Sequence, residues 1–222
     1  MTNNTLSIII VNWNSGVQAK TCIDSLNEQR HVIVVDNAST DDSQNAVVNL
    51  PGVTLVQSDQ NLGFGKACNL GAQLASSDFL LFLNPDAAVY PGTLDQALAF
   101  MQDAAHGDVG ICGVQLVDES DHVSRSCARF PTPFGFAAHA FGVDRVFPHL
   151  GHFMAEWAHD STRDVDHVIG AFFMVRRELF ESLNGFDERF FVYLEDLDFS
   201  YRARQAGWRS VYLADVQAFH AG

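Results

Sequence analysis

Short apolar runs alternate with helical patterns along the first half of the chain. The runs predict four β-strands, and each is followed by a polar or glycine-containing loop and then by a helical segment. This alternation is typical of βαβ units, so we predict an α/β fold with a mostly parallel sheet flanked by helices. The predicted strands are Leu6–Asn12, Val32–Asp36, Val53–Gln57 and Phe79–Leu83, and the predicted helices are Val17–Glu28, Thr40–Leu50, Gly65–Ser76 and Gly92–Ala104.

The second half of the chain is less regular, and we expect a smaller, mixed sheet region there. Phe130 to Trp157 is rich in Phe, His, Pro and Gly without a clear period, which predicts a long irregular segment. Order returns after it. The pattern then predicts a β-like stretch at Asp166–Val175, a helical turn at Arg177–Leu183, a helix at Glu195–Ala206 and a strand at Arg209–Ala214.

The charge of the chain limits its partners. Its 222 residues include 27 acidic and 13 basic side chains, which gives a formal net charge of −14. Nucleic acid is therefore excluded as the main partner, because phosphate binding needs clustered Lys and Arg. If the chain binds a diphosphate, a metal ion or helix N-termini must supply the local positive charge.

The sequence contains no secretory leader and no apolar run of the ~18 to 20 residues that a membrane span needs. We therefore expect a cytoplasmic protein. The chain stops at Gly222 without an evident cap, which is typical of a domain cut from a longer protein. Four widely spaced cysteines predict reduced core thiols rather than a disulfide framework or a zinc ribbon. They are Cys22, Cys68, Cys112 and Cys127.

Polar residues follow the predicted strands. Open α/β sheets bind ligands beyond the carboxyl ends of their strands, so the loops there form the candidate binding site. Asp36 ends an apolar strand, where a carboxylate can accept hydrogen bonds from a base or a ribose. The alternative is a helix start that Ser39 or Thr40 caps. The loops are Asn12–Ser15, Asp36–Thr40, Ser58–Gly65 and Asn84–Asp86.

Gly63 and Gly65 lie at a predicted helix start. The segment does not match the dinucleotide-binding pattern, because Cys68 occupies the position of the third glycine. The chain also lacks a GxxxxGK[ST] phosphate loop. The glycines permit either a close backbone approach to a ligand or tight packing of the helix on the sheet.

Asp86 ends the fourth strand segment, after Asn84 and Pro85, and it has no basic neighbour in sequence. An exposed, unpaired carboxylate at a strand tip suits a hard divalent ion that bridges phosphates. The alternative is an Asx turn before the next helix.

Three acidic residues, Glu195, Asp196 and Asp198, fall in the first turn of a predicted helix. We expect Asp198 to pair with Arg202. Glu195 and Asp196 point about 100° apart around the helix axis, so one can face a cleft while the other braces a loop. A helix N-terminus keeps such a carboxylate ionised near neutral pH, as a general base requires. Complementation of the helix dipole is the alternative explanation.

The histidines give a weaker signal for a metal site. His149, His152 and His159 lie near Glu156, but their spacing fits no zinc signature. His220 follows the final apolar run and is either a second metal ligand or a surface residue.

Together these segments resemble the inverting glycosyltransferases of family two, which have the GT-A fold, and especially their rhamnosyltransferase-like branch. The match runs over nearly the whole chain, and seven motifs in order make it specific. The motifs are Val11-Asn-Trp-Asn14, Val35-Asp36-Asn37-Ala-Ser39-Thr-Asp, Asn61-Leu-Gly-Phe, Leu83-Asn84-Pro-Asp86, Gly170-Ala171, Gly185-Phe-Asp187-Glu-Arg-Phe-Phe and Glu195-Asp196-Leu-Asp198-Phe.

The resemblance implies catalytic and metal-binding roles. Asp196 is implied as the base, with Glu195 beside it at the catalytic site. Asp86 and His220 are implied as ligands of a divalent metal, Mg or Mn. The residues implied at the nucleotide sugar are Asn12, Asn14, Asp36, Asn37, Ser39, Asn61, Gly63, Asn84, Asp86 and Gly170.

Two positions depart from the family's pattern. Asn84 stands where many members have Asp, which puts the metal affinity in doubt. Asn184 precedes Gly185, where many members have a second glycine.

The resemblance implies one Rossmann-like GT-A domain over residues 1–222, in which 1–115 bind the nucleotide sugar and 116–222 bind the acceptor and carry catalysis. The expected partners are a nucleoside-diphosphate sugar donor and a saccharide or lipid-linked acceptor of bacterial cell-surface polysaccharide synthesis. The sequence leaves open peripheral contact with the inner membrane face and a homodimer. A nucleotidyltransferase and a non-catalytic sugar-nucleotide-binding module are the alternative functions.

Overall fold

The computed structural model describes residues 5–26, 30–48, 50–143, 146–152, 154 and 156–221. The strands are β1 (Leu6–Asn12), β2 (His31–Asp36), β3 (Val53–Gln57), β4 (Phe79–Leu83), β5 (Ala87–Val89), β6 (Val109–Val117), β7 (Cys127–Ala128), β8 (Arg163–Val165), β9 (His167–Val168), β10 (Phe172–Arg176) and β11 (Arg209–His220). The α-helices are α1 (Gln18–Asp24), α2 (Phe64–Ala72), α3 (Thr93–Gln102), α4 (Pro133–Ala140), α5 (Arg177–Ser182) and α6 (Glu195–Gln205).

Within the described residues nine strands form one sheet, in the order β3-β2-β1-β4-β10-β6-β11-β5, with β8 also paired to β11. Strands β1 to β4 are parallel to one another. Strand β10 runs antiparallel to both β4 and β6. Strands β7 and β9 form a separate antiparallel pair. The predicted α/β fold, with a mostly parallel first half and a mixed second half, is confirmed.

The central strands are buried on both faces, which explains their near-continuous apolar sequences. Because side chains alternate across a strand, Ile8 and Ile10 join the core layer that contains α1 and α3. Ile9 and Val11 join the opposite layer, which contains residues of α2 and α6.

The four strands predicted in the first half form as expected, and β2 begins one residue earlier. Helices α2, α3 and α6 begin within one residue of their predicted starts. Helix α1 ends at Asp24, whereas the prediction extended it to Glu28; residues 27–29 lie outside the described part of the chain.

The predicted helix at Thr40–Leu50 is wrong. The described residues of this range form a short 3₁₀ helix at Ser43–Ala46, and neither Ser39 nor Thr40 caps it. Instead the Asn14 side chain accepts the Thr40 backbone N–H at 2.7 Å. Asp41 likewise accepts the Ser43 N–H at 3.1 Å. These local side-chain bonds compete with helix formation, as short polar residues often do.

The β-like stretch predicted at Asp166–Val175 is interrupted. It forms β9 and β10, which a break at 169–171 separates. The backbone N–H of Gly170 donates to the Asp196 carboxylate instead of to a neighbouring strand. The interruption therefore belongs to the candidate site.

Strand β6 was not predicted, although all nine of its residues are buried. It contains Gly110 and Gly113, and glycine weakens a strand pattern. A Cβ at Gly113 would lie 2.8 Å from Val168, and one at Gly110 would lie 2.4 Å from Leu179. These glycines are required by close packing between distant segments, which a local pattern does not contain.

The second half contains more regular structure than predicted. Strand β11 continues six residues beyond the predicted end at Ala214, past a register shift between Leu213 and Gln217. The segment Phe130–Trp157 contains α4, whose N-cap Thr132 accepts the Gly135 N–H.

The cysteines and the helices of the described residues bear on two further expectations. The four cysteines are buried and free, and burial raises the pKa of each thiol, as expected for unreactive core side chains. In the described part of the chain, no helix has the length and apolar character needed to cross a bilayer.

Candidate active site

One edge of the sheet brings the predicted site segments together. Strands β1 and β2 end there side by side, with Asn12 paired to Asp36. Strand β10 begins at the same edge, where the Asn84 N–H donates to Ala171 at 3.1 Å. Strand β11 also ends there, with His220 paired to Ala87. The loops after β1, β2 and β4 therefore face the segment before β10 and the end of β11.

Asn12 and Asp36 form a buried polar cluster at the ends of β1 and β2. The Asn12 amide donates to Asp36 at 2.7 Å and to Ser43 at 2.9 Å. It also lies 3.2 Å from the hydroxyl of Ser39, which accepts the N–H of the exposed Asn14 at 3.0 Å. The two strand ends are thus fixed relative to each other, and Asn14 lies at the outer side of the cluster.

Asn37 and Asn61 connect the end of β2 to the loop before α2. The Asn37 amide donates to Asn61 at 2.9 Å and its carbonyl accepts the Leu62 N–H at 2.8 Å. Asn61 in turn accepts the N–H of Gly63 at 2.9 Å. Because these contacts occupy the two side chains internally, they set the loop's shape and leave little capacity for a ligand.

Gly63 is fixed by close packing against the loop before α6. Its φ of +81° is in the left-handed region, and a Cβ there would lie 2.3 Å from the Phe191 carbonyl oxygen. The next residue, Phe64, donates its N–H to the same oxygen at 2.8 Å. The start of α2 therefore packs closely against the loop before α6.

Asp86 is partly buried and close to His220, so the expectation of an exposed, unpaired carboxylate is wrong. His220 Nε2 lies 3.4 Å from Asp86 Oδ1. Asp86 Oδ1 is buried and, among the described residues, has no hydrogen-bond partner of regular geometry. The His220 ring, chiefly through side-chain hydrogen bonding, holds the pKa of Asp86 below its usual range against the effect of burial. The pair thus places a carboxylate oxygen next to an imidazole nitrogen.

Asp196 is held at the start of α6 by two backbone groups. Its Oδ2 accepts the Gly170 N–H at 2.7 Å and its Oδ1 accepts the Leu197 N–H at 2.8 Å. A Cβ at Gly170 would approach Asp196 Oδ2 to 3.2 Å, so a glycine best fits this contact. The side chain keeps 16% of its surface exposed, which leaves it accessible to a substrate hydroxyl.

Glu195 differs from its neighbour in its burial and in its hydrogen bonding. It is 4% exposed and packs against Gly65 of α2. Its Oε2 has no hydrogen-bond partner in the described part of the chain. Burial raises the pKa of Glu195 to about 7. Asp198, by contrast, pairs with Arg202 at 2.7 Å as predicted.

No group of three or more metal-binding side chains forms within the described ranges. His159 is buried and stacks on Trp157, and Glu156 pairs with Arg129, so these residues have structural partners. Asp86 and His220 are the predicted metal ligands that the fold brings together.

Residues 184 and 185 both have a left-handed backbone conformation, which explains why Asn184 can stand where many family members have glycine. Asn184 has a φ of +58° and Gly185 a φ of +72°. Asparagine tolerates this conformation better than other residues with side chains, so it can replace glycine there. The turn places the backbone of Phe186 against the Asn69 side chain, which makes two hydrogen bonds of 2.9 Å to it.

Exposed aromatic side chains at this edge were not predicted as site residues. Trp13, directly after β1, is 57% exposed and lies between Asn12 and Asn14. Phe191 and Tyr193 lie in the loop before α6 and are also exposed. An aromatic residue directly after a central strand is the signal that could have identified Trp13.

Residues 7–183 match the sequence model of a family described as glycosyl transferase family 2. The chain belongs to that family. It is 31% identical to the N-acetylglucosaminyl-diphospho-decaprenol L-rhamnosyltransferase of Mycobacterium tuberculosis, over 97% of this chain and 75% of the relative. It is 28% identical to the rhamnosyltransferase WbbL of Escherichia coli K12, over 96% of this chain and 81% of the relative.

Among solved structures, this family 2 chain resembles the mannosyltransferase PcManGT from Pyrobaculum calidifontis in complex with GDP-Man and Mn²⁺. The TM-score is 0.68 at 21% identity, and the match covers 98% of this chain but 56% of the solved one. The likeness confirms the predicted glycosyltransferase fold. The prediction of a rhamnosyltransferase-like member of family 2 is confirmed by the sequence relatives.

Proposed function

We propose that this chain transfers a sugar from a nucleoside-diphosphate donor to a saccharide or lipid-linked acceptor, with inversion at the anomeric carbon. The observation that carries the proposal is that the ends of β1, β2 and β4 and the start of α6 meet at one sheet edge. This convergence supports a shared site for the donor-binding candidates, the Asp86–His220 pair and Asp196.

The donor lies, in this proposal, against the ends of β1 and β2. Asp36 is buried with Asn12, so it acts chiefly by fixing the surface on which the nucleoside rests. The exposed Asn14 adds a polar group to that surface. The exposed Trp13 adds an aromatic ring, on which a base can stack. Residues 1–115 then bind the donor, while residues 116–222 supply Asp196 and the acceptor surface.

Asp86 and His220 would hold a divalent metal, Mg or Mn. The fit rests on the buried Asp86 Oδ1, which has no regular partner among the described residues, and on the imidazole nitrogen 3.4 Å away. Carboxylate and imidazole are both ligands of such metals. A bound cation there supplies charge that stabilises the departing diphosphate, which suits a chain with a net charge of −14.

Asp196 acts as the general base. It removes the proton from an acceptor hydroxyl while that oxygen forms its bond to the anomeric carbon. The bond from this carbon to the diphosphate oxygen breaks, and the diphosphate leaves with the electron pair. The two backbone N–H groups on Asp196 keep its carboxylate oriented for this step.

The sequence relatives suggest the substrates. Because two of them are named as rhamnosyltransferases, we propose dTDP-rhamnose as the first donor to test. The name of the Mycobacterium tuberculosis relative suggests a polyprenyl-diphosphate-linked N-acetylglucosamine as the acceptor. Membership of a glycosyltransferase family disfavours the alternative of a nucleotidyltransferase. A homodimer and contact with the inner membrane face stay predictions.

The test compares Asp196→Asn with Asp198→Asn, a matched change two residues further along α6. Transfer is measured with a panel of nucleotide sugars and polyprenyl-diphosphate acceptors, with and without Mn²⁺, and donor binding is measured by calorimetry. We expect Asp196→Asn to lower kcat by about 10²- to 10⁴-fold with unchanged donor affinity, because the amide cannot take the proton. Asp198→Asn should stay within a few-fold of the parent protein.

Two results would contradict the proposal. Full activity of Asp196→Asn would remove the base assignment. A product that retains the donor's anomeric configuration, determined by NMR, would exclude the single displacement.

A further inference from the structure

A buried histidine lies directly behind the proposed base. His167, on β9, is 5% exposed, and its Nε2 lies 3.7 Å from Asp196 Oδ2. Its other ring nitrogen, Nδ1, lies 3.2 Å from the hydroxyl of the fully buried Ser200 on α6. Asp196, His167 and Ser200 therefore form a connected cluster on the inner side of α6.

The hydrogen-bond pattern assigns a tautomer to His167. The Ser200 hydroxyl lies 2.8 Å from the Asp196 carbonyl oxygen, which can only accept, so the hydroxyl proton is used there. The same hydroxyl can then only accept from His167, and the ring proton must be on Nδ1. Neutral His167 thus presents an unprotonated Nε2 to Asp196.

The 3.7 Å gap agrees with this arrangement. A carboxylate oxygen and an unprotonated imidazole nitrogen are both acceptors, and without a proton between them they do not approach to the 2.7–3.0 Å of a hydrogen bond. Burial lowers the pKa of His167, and the charge of Asp196 opposes this effect.

Few charges act on His167. Asp196 on α6 raises the pKa of His167, and His152, in the segment before β8, lowers it. Glu195 packs on the other side of α6, against Gly65, and the neighbouring Asp166 pairs with Arg204. The paired strand β7 contributes the buried thiol of Cys127, and β11, which also packs against β9, contains the buried Tyr212.

We infer that His167 is a positioning residue for the proposed base, because its Nε2 accepts a hydrogen bond from Asp196 once that carboxyl has taken the acceptor's proton. The inference rests on the proposed function. The proton moves from the acceptor hydroxyl to Asp196, where the hydrogen bond to His167 stabilises it. After the product leaves, the exposed part of the Asp196 carboxyl returns the proton to water, and no other group gains or loses one.

Two variants of similar size test the roles of the ring nitrogens Nδ1 and Nε2 separately. In His167→Asn the amide nitrogen takes the place of Nδ1 and keeps the bond to Ser200, but nothing reaches Asp196. In His167→Gln the longer side chain places an amide oxygen near the position of Nε2. We expect His167→Asn to lower kcat about 10- to 100-fold, with the donor dissociation constant changed less than twofold, and His167→Gln to recover much of that loss.

The pH dependence distinguishes this role from a structural one. Because His167 stabilises the proton on the Asp196–His167 pair, its removal weakens proton binding by the pair. The base must be unprotonated for transfer, so the acid limb of the kcat/KM profile should move to lower pH in His167→Asn. A defect of packing alone would lower the rate without moving this limb. His159→Asn, at another buried histidine, is the control, and its profile should match the parent's.

The outcomes distinguish the two proposals. If His167→Asn keeps the parent's kcat and acid limb while Asp196→Asn is inactive, the inference is overturned and the base assignment stands. If Asp196→Asn stays active, both fail. Should His167→Asn not melt cooperatively, Ser200→Ala replaces it: loss of the hydroxyl removes the group that fixes the tautomer. A smaller shift of the acid limb in the same direction is then expected, and an unshifted limb overturns the inference.

Discussion

The carboxyl edge of the sheet contains two polar regions that differ in how fully their hydrogen bonds are used. At the ends of β1 and β2, Asn12 binds Asp36 and Ser43, and each donor or acceptor there has a partner close by. At the ends of β4 and β11 and the start of α6, buried oxygens of Asp86 and Glu195 have no regular partner among the described residues.

This difference separates a scaffold from a reactive region. A buried polar atom without a partner costs about 1–3 kcal/mol, so a fold retains few of them without a use. The first region uses its polar groups to fix the shape of a binding surface. In the proposed function, the second region keeps free hydrogen-bonding capacity for a metal ion, a proton and an acceptor.

Asp86→Ala is the change in the reactive region that we expect to have a large effect on the donor. It removes one of the two proposed metal ligands, so kcat/KM should fall about 100-fold or more, the scale found when a charge-stabilising group is lost. Donor affinity should fall in the presence of Mn²⁺ and change little in its absence. Calorimetric titration with and without the metal measures both quantities.

The control for that experiment is Asp24→Ala, which removes an exposed carboxylate on α1. His220→Ala should resemble Asp86→Ala with a smaller loss. If Mn²⁺ increases donor affinity equally in the parent protein and in Asp86→Ala, the metal site is elsewhere.

Asn12→Ala tests the scaffold region. The Asn12 amide donates to the 2%-exposed Asp36 carboxylate, and its removal leaves that buried charge without its closest donor. We expect the free energy of unfolding to fall by about 2–3 kcal/mol, measured by denaturation in urea. Asn45→Ala, at an exposed position whose side chain donates to Asp42 at 3.4 Å, should cost less than about 1 kcal/mol and is the matched control. Equal losses would show that the two regions do not differ in the way described.

The sequence predicts the scaffold region well because its signals are local. Apolar runs identify β1 to β4, and the residues after them mark the edge where ligands bind. The same local signals wrongly predict a helix at Thr40–Leu50, because they do not show that the Asn14 side chain would bind the Thr40 backbone.

The reactive region depends on contacts between distant segments. His220 reaches Asp86 only because β11 continues past its register shift, and the glycines that permit β6 are explained by Val168 and Leu179. Nothing near His167 in sequence indicates that its ring would lie behind Asp196. The sequence and its resemblance did predict Asp86, Asp196 and His220 as candidates, but not which of their atoms have partners.

Glu195→Gln has the smallest expected effect. It tests whether a buried side-chain atom without a hydrogen-bond partner in the reactive region lowers the stability of the fold. Burial raises the pKa of Glu195 to about 7, whereas an unfolded Glu ionises near 4.5. Between these values the unfolded chain loses its proton before the folded one, so stability declines as pH rises from about 4.5 to 7 and stays reduced above. The amide cannot ionise and should be free of this decline.

We therefore expect Glu195→Gln to be more stable than the parent by about 1–3 kcal/mol at pH 8 and nearly equal to it at pH 4.5, as measured by urea unfolding. Glu178→Gln, an exposed change in the first turn of α5, is the control and should show no such dependence on pH. If the difference between Glu195→Gln and the parent is the same at both pH values, the Glu195 carboxylate is stabilised in the folded state by a partner. The contrast between the scaffold region, whose polar groups have hydrogen-bond partners, and the reactive region, where some lack them, would then not extend to this residue.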